Sequence, residues 1–302
     1  LNIYNTAVDD YVEKINRDIL REKMAETYFT YITYDIYHYF DGVETLIAEN
    51  IGTELNYMEP YYMAKDAPVC AFLGYDLPDN DCKIVNLSEI SSTSDFNTKF
   101  ENLLLEYRVC YLVTNTNYKK IKDVSFFDIN SLGTIAYFGV NNQNYKEENY
   151  VDLYRINIDD GYINDPILYK EKISYGRGFL SNGDYIYQGE DEITYINDIS
   201  LGQYAQEIIM SNDNKSIYYL SDYQQERFGT GHWLRYGTLN FMKNNEIQTI
   251  ARDILDFEVI NGEEVVYLQF NDNNIGVGTL YYKNNGEIEV LDNNVTNIFH
   301  VS

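Results

Sequence analysis

Ile247-Gln248-Thr249-Ile250-Ala251-Arg252-Asp253-Ile254-Leu255 matches, nearly position by position, Val12-Glu13-Lys14-Ile15-Asn16-Arg17-Asp18-Ile19-Leu20 at the other end of the chain. Both stretches end in two polar residues followed by Ile, and both lead at once into a new strand-like run. The same ending recurs as Glu49-Asn50-Ile51, Lys122-Asp123-Val124, Glu171-Lys172-Ile173, Gln206-Glu207-Ile208 and Asn293-Asn294-Val295. The seven endings lie 32 to 73 residues apart. Recurrence at a few tens of residues marks a repeat architecture in which neighbouring units bury one another.

The match extends outward from the endings. Thr27–Tyr34 aligns with Glu264–Phe270, and Tyr37–Gly42 aligns with Leu280–Gly286. Each unit therefore reads as four short strands, with a polar turn such as Asp41-Gly42, Asp160-Gly161 or Asn285-Gly286 after the third. The most apolar strand is the second: Val69–Tyr75, Thr134–Val140, Asp184–Gln188, Ser216–Leu220 and Glu264–Phe270. Four-stranded units at about 40–50 residues each predict an all-β fold, a single β-propeller domain over 1–302.

Seven blades are expected, with six as the alternative. Thr296–Val301 reads as an innermost strand, and Leu1–Tyr4 and Tyr11–Ile19 read as outer strands. Joining both termini in one blade removes two exposed sheet edges. One unit carries an insertion at about 76–108. Within it Phe96, Phe100, Leu103, Leu104 and Tyr107 follow helical spacing behind Ser94 as N-cap, which predicts an inserted helix covering its own blade.

Composition excludes some partners. The formal net charge is -26, with 48 Asp and Glu against 22 Lys and Arg. Such a surface repels nucleic acid and anionic membranes, and favours basic partners or divalent cations. The 32 Tyr suit half-buried pleated surfaces. Cys70, Cys82 and Cys110 have no metal-binding spacing and read as free thiols. No apolar run approaches the length of a membrane span. The opening at Leu1, inside a strand-like run, reads as a fragment or a mature ectodomain.

No hydrolase elbow, zinc-protease helix or phosphate loop occurs, so no catalytic residue is assigned. His38 and His300 lie beside aromatics in strand-like runs and read as structural. The oxygen-rich stretch Asn157–Asp165 resembles a calcium loop but lacks the spacing and the closing Glu of one, so a hairpin turn is the reading, no cofactor is expected and calcium is the alternative. Longer connections fall between second and third strands, at Asp76–Arg108, Asn141–Tyr150, Tyr223–Leu234 and Asn271–Val277. Insertions shared by one face of a repeat array mark its binding face. Tyr223–Tyr236 (YQQERFGTGHWLRY) is the richest, holding the only Trp. Tyr223, Phe228, His232, Trp233 and Arg235 are its candidate ligand-binding residues, because Trp, Tyr and Arg dominate interface hot spots.

The strings LYYKNNGEIEVLDNNV (280–295), SIYYLSDY (216–223) and YHYFDGVETLIAENI (37–51) resemble blades of uncharacterised propeller proteins of clostridia and related Firmicutes. Many of those belong to domains of unknown function and follow a zinc ribbon and a membrane helix. The resemblance implies a propeller anchored at the cell surface, with no assigned activity. Together these readings predict a monomeric, non-catalytic binding or sensing module outside the cytoplasmic membrane. Its ligand would be a protein, peptide or cell-wall glycan. The alternative is a glycan-active lyase or hydrolase, or an accessory domain of one.

Overall fold

The computed structural model describes residues 33–40, 42–52, 61–76, 108–142, 150–228, 232–270 and 277–298. The expected inserted helix, Cys82, and the terminal strands of the shared blade lie outside them. The chain divides into two compact units, Leu1–Lys172 and Ile173–Ser302. The boundary falls on one of the seven repeated endings, within a single strand.

The first unit runs β1 (Thr33–Phe40), β2 (Val43–Gly52), β3 (Tyr61–Met63), β4 (Cys70–Asp76), β5 (Arg108–Val113), β6 (Tyr118–Lys122), β7 (Val124–Ile129), β8 (Ile135–Asn141), β9 (Val151–Asp159), β10 (Tyr162–Ile163) and the start of β11 (Ile167–Phe179). The second holds the rest of β11, then β12 (Tyr185–Gly189), β13 (Thr194–Ile196), β14 (Ile199–Ser200), β15 (Gln206–Met210), β16 (Ser216–Phe228), β17 (His232–Lys243), β18 (Glu246–Asn261), β19 (Glu264–Phe270), β20 (Gly278–Asn284) and β21 (Glu287–Val295). The strand pairings among the described residues are antiparallel. The expected second strands coincide with β4, β8, β12 and β19, while β16 begins where expected and runs on to Phe228.

Five four-stranded groups are described whole: β3-β4-β5-β6, β7-β8-β9 with the start of β11, the end of β11 with β12-β13-β14, β15-β16-β17 with the first half of β18, and the second half of β18 with β19-β20-β21. At three of the four junctions the outer strand of one group passes directly into the inner strand of the next, and between β14 and β15 residues 201–205 connect them. That is β-propeller blade connectivity, and the described residues are otherwise turns and connections.

The repeated ending is the joint between blades. Its second polar residue takes a left-handed conformation in four cases: Asp123 (φ 59), Lys172 (φ 54), Glu207 (φ 44) and Asp253 (φ 58). The ladder register shifts just after each. In β18, residues up to Ala251 pair with β17, Ile254 pairs with both β17 and β19, and residues from Asp256 pair with β19 alone. At Asp123, Lys172 and Asp253 the bend lets the chain leave its old partner strand and take a new one, whereas at Glu207 both sides pair with β16. Val124, Ile173 and Ile254, which follow three of these bends, are all fully buried. At Asn293-Asn294-Val295 the register with β20 shifts by one residue. The sites at Asp123, Lys172 and Asp253 thus couple a strained backbone position to a buried apolar side chain.

Blades pack face to face through alternate residues of one strand. In β5, Cys110 and Leu112 enter a core with Phe127 and Phe138 of the next blade. Val109, Tyr111 and Val113 enter a separate core with Ile47 and Ala48 of β2. In β16, Ile217 and Tyr219 pack with Ile186, Ile196 and Leu201, whereas Tyr218 and Leu220 pack with Ile254, Phe257 and Tyr267. Two-sided burial explains why second strands read as continuous apolar runs. Burial also carries the Tyr219 hydroxyl up to about 12, where it donates to Leu201 O at 3.4 Å.

Two outcomes are expected on this basis. Ile254→Ala should cost about 2–5 kcal/mol of stability. Asp253→Val should cost about 1–2 kcal/mol through backbone strain, while Asp253→Gly should not. Urea midpoints check both, and equal loss in the Val and Gly variants would remove the conformational account. Because Tyr219 holds its proton more tightly folded than unfolded, its contribution is complete below the ordinary tyrosine value near 10 and is lost as pH rises from there toward 12. Alkaline unfolding monitored by tyrosinate absorbance should follow that window, and Tyr219→Phe should blunt it.

Candidate functional site

The stretch expected to be a loop at Tyr223–Leu234 is instead a two-stranded ribbon. β16 and β17 continue pairing through Gln224↔Tyr236, Gln225↔Arg235, Glu226↔Leu234, Arg227↔Trp233 and Phe228↔His232. The flanking strands stop short: β15 reaches Leu220, and β18 reaches Gly237. Among the described residues, the ribbon therefore extends beyond its blade. Sequence reading took the polar residues as a loop signal, whereas an exposed ribbon accepts polar residues on both faces.

A bulge sets the angle of the ribbon at its neck. Ser221 pairs with Thr238 and Gln224 with Tyr236, leaving Asp222 (φ 49) and Tyr223 opposite Gly237 alone. A Cβ on Gly237 would lie 2.7 Å from Ser221 O, a backbone atom that cannot swing aside. Buried polar groups stitch the neck together. Asn240 Nδ2 donates to Ser221 Oγ at 2.7 Å, Thr249 Oγ1 donates to Asn240 Oδ1 at 3.0 Å, and Thr238 Oγ1 donates to Asp222 Oδ2 at 3.2 Å. Ser221, Thr238 and Asn240 are buried, and a network that satisfies its buried members in this way specifies one geometry.

The ladder register sorts the five predicted residues. The pleat places positions 225, 227, 233 and 235 on one face, and positions 224, 226, 228, 232, 234 and 236 on the other. Tyr223 joins the first face, where its side chain is hydrogen-bonded to Arg235. Burial pushes the Tyr223 hydroxyl up, and the Arg235 guanidinium partly offsets this. Arg235 is exposed and Tyr223 half-buried. Trp233 shares that face by register, while Phe228 and His232 fall on the opposite one. On that opposite face Tyr236 stacks on Phe270 at 5.7 Å and donates to Gln224 Oε1 at 3.1 Å. Tyr236, absent from the predicted set, thus ties the ribbon base to the next blade.

Other candidate chemistry resolves into structure. Asp160 (φ 49) and Gly161 (φ 83) form a two-residue hairpin turn between Asp159 and Tyr162. Asn164 Nδ2 donates to Asp159 Oδ2 at 2.7 Å, and Lys119 pairs with Asp165 at 2.6 Å. The Asp159 carboxylate is thus engaged within the turn, and that of Asp165 by β6. Among the described residues, no group of three or more His, Cys, Asp or Glu is arranged to hold a metal. Asp165, Asp213 and Glu263 are all held below the usual carboxylate range, by Lys119, by the Ser211 hydroxyl and by Lys243 respectively. That direction is opposite to what a general acid needs. Cys70 pairs with Val113 and Leu73 with Cys110, so the two thiols lie on opposite faces of adjacent strands and are free. Burial raises both.

No family model matches the chain, and no curated protein matches it. Among solved structures it is similar to the β-propeller domain of the Trilobed protease from Pyrococcus furiosus, at 10% identity over 74% of this chain and 82% of that one, with TM-score 0.37. It is also similar to TolB from Acinetobacter baumannii (13% identity, 58% of this chain and 45% of that one, TM-score 0.27) and to acylaminoacyl peptidase from Pyrococcus horikoshii (10%, 76% and 31%, TM-score 0.30). At these identities and overlaps no activity, substrate or partner carries over.

Gly237→Ala should lower stability by about 1–3 kcal/mol, since its Cβ presses on backbone. Amide exchange should then quicken at 224–228 and 232–236 more than in β19. Uniform quickening would reject a neck that fixes the ribbon.

Proposed function

We propose that this protein is a non-catalytic binding module that holds an extended protein or peptide segment against the ribbon of β16 and β17. The observation that carries this reading is the ribbon itself. It extends past both neighbouring strands, is fixed by a bulge and a partly buried polar network, and presents Tyr223, Trp233 and Arg235 positions on one face. An extended segment adds naturally to a strand edge, with main-chain hydrogen bonds for affinity and side chains for selection. The net charge of -26 favours a segment with basic residues and steers its approach. The resemblance to clostridial propellers supports display outside the cytoplasmic membrane through an anchor elsewhere in a longer protein.

Trp233→Ala and Arg235→Ala should each weaken capture of a bead-bound hexapeptide library by about ten-fold, at an unchanged thermal midpoint. A cell-wall peptidoglycan suspension serves as the comparison. Unchanged peptide capture, or capture of peptidoglycan alone, would overturn the peptide reading.

A further inference from the structure

Gly176-Arg177-Gly178 interrupts an otherwise strand-forming run, and the structure gives the interruption a purpose. In the second half of β11, Gly176 pairs with Tyr187 and Gly178 with Ile186, so Arg177 is the extra residue of a bulge. Gly178 sits at φ 98, which a residue with a side chain adopts only under strain. A bulge re-aims its side chain away from the ladder. Here the Arg177 guanidinium lies over the Tyr204 ring, 5.6 Å from its centroid, and Nη1 donates to Ala205 O.

The platform beneath it is rigid. Tyr204 belongs to the connection after β14, which is bound to Thr194: Leu201 N donates to Thr194 O at 2.9 Å, and Ala205 N donates to Thr194 Oγ1 at 2.9 Å. Thr194 and Ala205 are fully buried. The Tyr175 side chain is hydrogen-bonded to that of Tyr204. Tyr175 remains 38% exposed and Tyr204 36% exposed, so the cluster opens to solvent.

The charge of this site is unbalanced. The chain carries 48 acidic side chains, yet among the described residues Arg177 has no carboxylate partner. A half-buried guanidinium has lost part of its hydration, and one carbonyl and one ring return only part of it. Its remaining N–H donors form a planar fork suited to a carboxylate. The guanidinium also covers a face of Tyr204, which removes the bare ring that a neutral sugar would stack upon. A ligand with many negative charges would be repelled by the whole protein, so a single carboxylate on a neutral or basic chain fits best.

Its position links it to the ribbon. Tyr204 lies two residues before Gln206, the first residue of β15, whose partner Leu220 immediately precedes the ribbon neck. Glu207 acts electrostatically on Tyr223. Resting on the peptide reading of the ribbon, we infer that Arg177, with Tyr175 and Tyr204, receives the C-terminal carboxylate of the bound peptide.

The test uses one bead-bound hexapeptide library made with free C-terminal carboxylates and a twin made as C-terminal amides. The unaltered protein should retain the carboxylate form about ten-fold better than the amide form. Arg177→Gln should abolish that preference, and Arg177→Lys should keep part of it while reporting on folding through its thermal midpoint. Equal retention of both forms by the unaltered protein, or a preference that survives in a folded Arg177→Gln variant, would overturn the carboxylate site while leaving the ribbon reading intact. Conversely, a carboxylate preference that persists while Trp233→Ala and Arg235→Ala leave capture unchanged would remove the ribbon and keep the carboxylate site.

Discussion

Alternate residues of a single strand belong to two different cores, and the rest of the architecture follows from that division. Tyr218 and Leu220 face one neighbouring blade, and Ile217 and Tyr219 face the other. β5 divides its residues between two cores in the same way. A blade with only one neighbour leaves half of such a strand in water, so no blade is stable alone. Repetition in the sequence is therefore a thermodynamic requirement, since each unit buries its apolar surface only against the next.

The joints between blades answer a second constraint. At Asp123, Lys172 and Asp253 the chain closes one blade and opens the next without a loop, because the residues on either side pair with different partners. A left-handed residue supplies the bend, and the β-branched residue after it anchors the new direction. Asp and Asn tolerate that conformation readily. Lys172 and Glu207 do so less readily, and Lys172 has its backbone N–H taken up by the Asp152 carboxylate at 3.2 Å. Departures from the repeat fall where no joint is needed. The ribbon and the Gly176–Gly178 bulge both add residues to a ladder without disturbing the cores beside it. The side chains of the ribbon and the bulge are thereby placed on a scaffold that pays little for them.

Much of the fold was legible in the chain because its signals are local. Asp160-Gly161 and Asn285-Gly286 form tight turns by their own conformational preferences, and the β-branched and aromatic second strands declare themselves by composition. The candidate site was legible only as a set of residue types. Trp233, Arg235 and Tyr223 share a face, and Phe228 and His232 do not, because one bulge at Asp222 and Tyr223 sets the register of everything beyond it. Tyr236 was missed since its role rests on Phe270, thirty-four residues further along the chain. The Arg177 cluster left one trace, a pair of glycines around a charged residue within a strand.

The sequence by itself determined the all-β class, the blade repeat, the places where blades join and the acidic field around the molecule. Each of these depends on residues adjacent in the chain or on simple sums over it. Tertiary structure alone decided that Tyr223–Tyr236 is a ribbon, which faces its residues occupy, and that Arg177 meets Tyr204 across twenty-seven residues. Those outcomes depend on ladder register and on which strands end first, and register is set by the summed packing of every strand in the sheet.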